Sequence, residues 1–127
     1  MGLYFKPSTM KTSSRFFLSF SFLVLLGAVS AFQLIKTQIS ITIRNELGNI
    51  EQGTTVQLYE TEDDYKTEKN AVAEGVTDQK GVVKFKELKA ISYFVLAKKD
   101  EKDNFGGGEQ TGKLDANRIN KVTIVIQ

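Results

Sequence analysis

Beyond residue 31, apolar residues fall on every second position in several separate stretches, and no long helical period intervenes. Ile39, Ile41 and Ile43 alternate with Ser40, Thr42 and Arg44, and Val122, Ile124 and Ile126 alternate with Thr123, Val125 and Gln127. A period of two puts successive side chains on opposite faces of a strand, so each stretch offers one face to a core. The β-branched residues at the inward positions favour the strand further. A third stretch, Thr77 to Leu88, joins a turn to a strand. Asp78 can accept hydrogen bonds from the turn backbone, and Gly81 can take the positive φ that closes it. Val83 and Phe85 then alternate with Lys84 and Lys86, and Leu88 plugs the strand's end.

The remaining segments complete a set of seven short strands. Thr54–Glu60 presents Val56 and Leu58 inward, with Thr55, Gln57 and Tyr59 on the other face. Ala71–Thr77 is weaker, and Gly75 suggests a bulge. Ser92–Lys98 is apolar on both faces, with Phe94 and Leu96 on one and Tyr93, Val95 and Ala97 on the other. That pattern predicts a central strand covered on its second face by a loop or a partner. A short strand is expected near Thr111–Leu114, and the last at Lys121–Gln127. Between them, Thr61–Asn70 reads as a polar loop pinned by Tyr65, with Thr61 and Asp64 spaced as a helix cap but too few residues for a stable helix. The expected architecture is all-β: a seven-stranded antiparallel β-sandwich, prealbumin- or immunoglobulin-like, in one domain spanning 32–127.

The N-terminal part reads differently. Lys6, Lys11 and Arg15 precede an apolar run from Phe16 to Val29, followed by the small residues Ser30 and Ala31. A basic head, a short apolar middle and small residues at the end predict a signal peptide over 1–31, and hence an exported protein, periplasmic or secreted. An uncleaved membrane anchor is the competing reading; Ser19, Ser21, Ser30 and Gln33 dilute the run. Membrane contact is expected only through this segment before cleavage.

Without residues 1–31, 14 basic residues face 15 acidic ones, a net charge of −1. That balance argues against nucleic acid as a partner, since phosphate binding needs a concentrated basic surface. The sequence has no cysteine, so neither a disulfide nor a thiol lipid anchor is available. It has no histidine either. The usual general base, the thiol nucleophile and most zinc ligands are therefore missing, and no enzymatic activity, cofactor or metal is expected. Two acidic clusters, Glu60 to Asp64 and Asp100 to Asn104, are interleaved with or flanked by lysines and lack the spacing of a calcium loop, so solvated loops are expected there.

The pattern Thr77-Asp78-x-x-Gly81-x-Val83-x-Phe85-x-x-Leu88, followed by a strand with Tyr93, Val95 and Ala97, resembles the carboxypeptidase regulatory-like, prealbumin (transthyretin-like) sandwich family. Asn45 to Gly48 and Val56-x-Leu58-Tyr59 fit the same pattern, so the resemblance covers about 38–127 and is nearest to small exported bacterial members that stand alone. It departs where relatives place a glycine before the tyrosine of the fifth strand; here Ile91-Ser92 stands. The fold includes a hydrolase branch that relies on histidines, so that activity does not carry over. Adhesin domains of similar shape cross-link a first-strand lysine to a late asparagine. Asn120 is late, but the first strand carries Arg44 and no lysine, so no such bond is expected.

Function on such scaffolds sits in end loops. Phe105, Gly106, Gly107 and Gly108 form the foremost contact candidate, with Tyr65 and Tyr59 beside them in the sequence reading. Consecutive glycines cost backbone entropy and suggest mobility or close approach of another backbone. Phe105 either anchors a partner or folds back to cap the sandwich. Asp78 and Gly81 are assigned to the structural turn. The expected function is a non-catalytic envelope module that binds a protein or glycan through these loops. The alternative is a structural protein that associates with further copies through its sheet edges.

Overall fold

Seven strands and one short helix make up the described part of the chain, residues 35–127 of the computed structural model; the expected signal segment at 1–31 lies outside it. In chain order these are β1 (Gln38–Asn45), β2 (Thr55–Tyr59), α1 (Glu62–Thr67), β3 (Ala73–Val76), β4 (Val82–Phe85), β5 (Phe94–Lys99), β6 (Lys102–Asp103) and β7 (Ile119–Ile126). They form a three-stranded sheet in the order β4-β1-β7 and a four-stranded sheet in the order β3-β2-β5-β6. The inward residues of both sheets meet in one core. Ile39, Ile41, Ile43, Val83, Phe85, Ile124 and Ile126 come from the first sheet, and Val56, Leu58, Val95 and Ala97 from the second. Burying each of these side chains larger than Ala97 stabilises the fold by about 1.5–3 kcal/mol. The result is a mainly β, sandwich-like fold.

The strand directions differ from the expectation at one place. β1 and β7 run parallel, paired from Gln38↔Ile119 to Asn45↔Ile126. Alternation reveals which side chains share a face but carries no sign for chain direction. Here Ile41 meets Val122 and Ile43 meets Ile124 in register, so both inward faces stay apolar. The other pairings are antiparallel.

The sixth strand is not at Thr111–Leu114 but at Lys102–Asp103. The 109–114 segment still runs beside residues 91–95. Val95 N–H donates to Glu109 O at 2.8 Å, Thr111 N–H to Tyr93 O at 2.8 Å, and Leu114 N–H to Ile91 O at 3.1 Å. Side chains interrupt the ladder, because Tyr93 N–H donates to Thr111 Oγ1 at 3.0 Å and Ser92 Oγ donates to Thr111 O. Gly75 forms no bulge; the β2–β3 register is continuous through Val56↔Gly75. Its role is steric, since a Cβ there would lie 2.8 Å from Val83 Cγ2 across the core.

The 78–82 turn is built as its residues imply. Asp78 Oδ1 accepts from Lys80 N–H at 2.8 Å and Val82 N–H at 3.1 Å, and Gly81 adopts φ +73°. These backbone donors hold the Asp78 carboxyl below its ordinary pKa. Leu88 is half-buried against the core and its N–H reaches Thr37 O at 3.0 Å.

Candidate functional site

The two-sided strand β5 finds its second cover within the chain. Leu96 and Phe94 on its outer face pack with Tyr59 of β2 and Tyr65 of α1. The segment expected as a loop is therefore a helix of six residues, short but secured at both ends. Thr61 is extended and its Oγ1 accepts from Asp64 N–H at 3.1 Å, with Glu62, Asp63 and Asp64 in the first turn. Such a cap contributes about 1 kcal/mol, and acids near the N-terminus suit the helix dipole. Glu68 ends the helix in a left-handed conformation. Docking of Tyr65 supplies what the isolated turn lacks.

Tyr65 is the hub of an aromatic cluster. Its ring lies 5.7 Å from Phe94 in a stacked pair, 6.1 Å from Tyr59 edge-on, and 6.1 Å from Phe105. Contacts of this kind add about 0.5–1.5 kcal/mol each beyond area burial. The Tyr65 hydroxyl donates to Glu109 Oε1 at 3.2 Å. Burial, then the Glu109 carboxylate, raise the Tyr65 pKa well above its ordinary value, so the ring stays neutral.

The candidate contact residues fall into two groups. Phe105 is 52% exposed, whereas Tyr65 is 6% exposed and Tyr59 has no accessible surface. Only Phe105 is presented outward; Tyr65 braces it from beneath and Tyr59 supports Tyr65. The Tyr59 hydroxyl is occupied by Gln57 Oε1 at 2.7 Å. Tyr59 is thus corrected from a contact residue to a support, because α1 covers the face on which its alternation places it.

The glycine loop is fixed at its centre. Gly106 and Gly108 are exposed, but Gly107 lies against β7 so closely that a Cβ would be 2.3 Å from Val125 O. Gly107 O accepts from Val125 N–H at 3.2 Å, and Gln127 and Asp103 exchange two backbone hydrogen bonds of 2.9 and 3.2 Å. The loop from the four-stranded sheet thereby closes part of the free edge of β7 in the other sheet. The three glycines serve close backbone approach as well as turning.

Two residues that the sequence did not single out hold this arrangement. Asn104 is fully buried. Its Oδ1 accepts from Ala97 N–H at 3.0 Å, and its Nδ2 donates to Val95 O at 2.7 Å and Gly108 O at 2.9 Å. An asparagine directly before Phe-Gly-Gly-Gly was the available signal. Glu51, also buried, pairs with Lys99 at 2.9 Å and Lys102 at 3.6 Å and accepts from Asn45 Nδ2 at 3.0 Å. The hydrogen bonds from Lys99, then Asn45, lower its pKa.

Several members of the acidic clusters are engaged locally. Glu60 pairs with Lys89 and Glu62 with Lys66, Asp64 accepts from Asn70, and Asp103 Oδ1 accepts from Phe105 N–H at 3.0 Å. Among the described residues no group of three or more acidic, His or Cys side chains is arranged to hold a metal ion. Asn120 staples the chain instead of meeting a lysine: its Nδ2 donates to Gln38 O at 3.0 Å and its Oδ1 accepts from Asp115 N–H at 2.8 Å.

Fold and loop together define a small two-sheet β module with one braced aromatic on an end loop. No family model matches the chain, and no curated protein matches it. Among solved structures it is similar to the Bacillus anthracis TIE protein, with a TM-score of 0.51 and 20% identity over 72% of this chain. The chain spans only 17% of that structure's length, so the similarity concerns the fold of one module within a longer protein.

Proposed function

We propose that the chain is an exported, non-catalytic binding or accessory module of the cell envelope, of the carboxypeptidase regulatory-like, prealbumin kind. It meets a protein or glycan partner through Phe105 and the loop that carries it. The observation that carries this reading is the rigid presentation of Phe105. Half of that ring is exposed while Tyr65, Asn104 and Gly107 anchor the loop around it. An aromatic ring held in advance loses little entropy on binding, which is what an interface anchor needs. The two-sheet layout and the similarity to one module of a longer protein favour an accessory role. The test is Phe105→Ala. Retention on a glycan array or on envelope fractions should fall, with the melting temperature lowered only by the several degrees that losing the Tyr65 contact and half a ring's burial implies; retention unchanged by the substitution refutes the loop as the contact.

The second reading, association of copies through sheet edges, has one favouring observation. β3 ends the four-stranded sheet; Val76 on it and Val72 just before it are 59% and 48% exposed. An open edge of this kind accepts another strand. Sedimentation decides it: a strict monomer at micromolar concentration removes this reading.

A further inference from the structure

The net charge of −1 hides an uneven distribution. β1, β4 and β7 contain no aspartate or glutamate at all. Their outward positions include Lys84 and Lys121, which flank Ser40 in register on either side. Strands lie about 4.8 Å apart, so the Cα atoms of these lysines are about 9.6 Å apart. The next outward row is Val82, Thr42 and Thr123, with Lys80 at the turn beyond it. Together they line an open concavity of about 840 Å³ on the outer face of the three-stranded sheet. Its one acid, Asp78, is already engaged by the backbone of Lys80 and Val82. Lys80, Lys84 and Lys121 have no ion-pair partner among the described residues, and the hydroxyls of Ser40, Thr42 and Thr123 have no hydrogen-bond partner there. The acids gather instead on the other sheet's outer side, with Glu62, Asp63 and Asp64 on α1 and Glu74 on β3.

We propose that this basic concavity is a docking surface for an anionic polysaccharide chain. Lysine ammonium groups on flexible stems, rising from Cα atoms about 9.6 Å apart, can reach successive charges along an extended polyanion. The row of free hydroxyls between them suits a polyol, whose own hydroxyls both donate and accept. The same face carries no aromatic side chain at its outward strand positions, so it offers no stacking platform for bases. Arg44 lies outside the concavity, and its Nη1 donates to Gly48 O at 2.7 Å. The acidic opposite side orients the molecule toward a polyanion with this face first. The site is separate from Phe105, so the two can fail independently.

The experiment measures binding of the full chain to polygalacturonate and to dextran sulfate, with neutral dextran as control and salt raised from about 0.05 to 0.2 M. Binding to either polyanion but not to dextran, weakening with salt, is expected, and the two arms separate carboxylate from sulfate. The double variant Lys84→Gln/Lys121→Gln should weaken binding by roughly tenfold and flatten the salt dependence. Both side chains are exposed and unpaired among the described residues, so an unchanged melting temperature should accompany the loss. The double variant Lys66→Gln/Lys69→Gln changes net charge equally on the α1 side and should leave binding intact. Absence of binding at low salt overturns the proposal. So does an equal loss in the α1 variant, tighter binding to duplex DNA, or self-association that Lys84→Gln/Lys121→Gln abolishes.

Discussion

Replacing Asn104 tests the claim that one buried amide ties the glycine loop to β5. Asn104→Ala removes three hydrogen bonds, to Ala97 N–H, Val95 O and Gly108 O. The first two partners belong to buried residues of β5, while Gly108 is exposed and its carbonyl can turn to water. A buried group left unpaired costs about 1–3 kcal/mol, so two cost roughly 3 kcal/mol in total. For a domain of this size that lowers the melting temperature by about 12–24 °C, at about 4–8 °C per kcal/mol. Asn104→Asp separates hydrogen bonding from packing. It keeps the oxygen facing Ala97 N–H but sets a second carboxylate oxygen against Val95 O and Gly108 O. At neutral pH it should be less stable than Asn104→Ala despite its near-identical shape. Protonation restores one donor, so the folded-state pKa of that carboxyl is raised, and the deficit should shrink as pH falls through it. Thermal melts of wild type and both variants, at neutral and mildly acidic pH, read all of this. Asn104→Asp equal to or more stable than Asn104→Ala at neutral pH refutes the reasoning.

Two further predictions concern the same edge and its surroundings. Gly107→Ala forces a Cβ onto Val125 O, and should cost about 1–3 kcal/mol and speed amide exchange at Val125 and Gln127; unchanged exchange there refutes the edge closure. Glu51 and Asp78 have folded-state pKa values below their ordinary 4.5 and 3.8, so the stability they contribute is full above that range and is lost as pH falls through the lowered values. Melting temperature followed into acid should therefore drop, and Glu51→Gln should start lower and fall less; an acid limb unaltered by Glu51→Gln removes Glu51 from the account.

Much of the fold was legible because a half-buried strand repeats every two residues. Ile39, Ile41 and Ile43, or Val122, Ile124 and Ile126, declare their inward face without help from elsewhere in the chain. Direction was not legible, because a parallel and an antiparallel neighbour make the same demand on alternation, and β1–β7 turned out parallel. Helix α1 was underestimated because its stability resides in a cap plus the docking of Tyr65, and only the cap is local. The two-sided apolarity of β5 shows the need for a cover, and the cover is the six-residue helix α1, too short for its periodicity to announce it. At the candidate site, Phe105 was found through its glycines. Asn104 was harder to see, because its one local signal, its place directly before Phe-Gly-Gly-Gly, does not show that three backbone groups converge on it.

Charge shows most clearly what a one-dimensional reading averages away. The balance of 14 basic and 15 acidic residues is a property of composition, and it argues against nucleic acid as a partner. Sheet pairing redistributes it. Lys84 and Lys121 stand 37 positions apart in the sequence, in segments with no basic run, yet both pair with Ser40 on one face. The acids of α1 are carried to the other side by the docking of Tyr65. Lysines on exposed strand positions usually serve only to keep a sheet soluble and its edges unpaired. Gly107 and Asp103 close the edge of β7 only at Val125 and Gln127, so Lys121 lies on the part they leave open and can serve as such a guard. Lys84, on the other outer strand of that sheet, is equally placed for either role. Edge guarding predicts no affinity for a polyanion and docking predicts one that falls with salt, so the polyanion experiment distinguishes a functional surface from a merely solvated one.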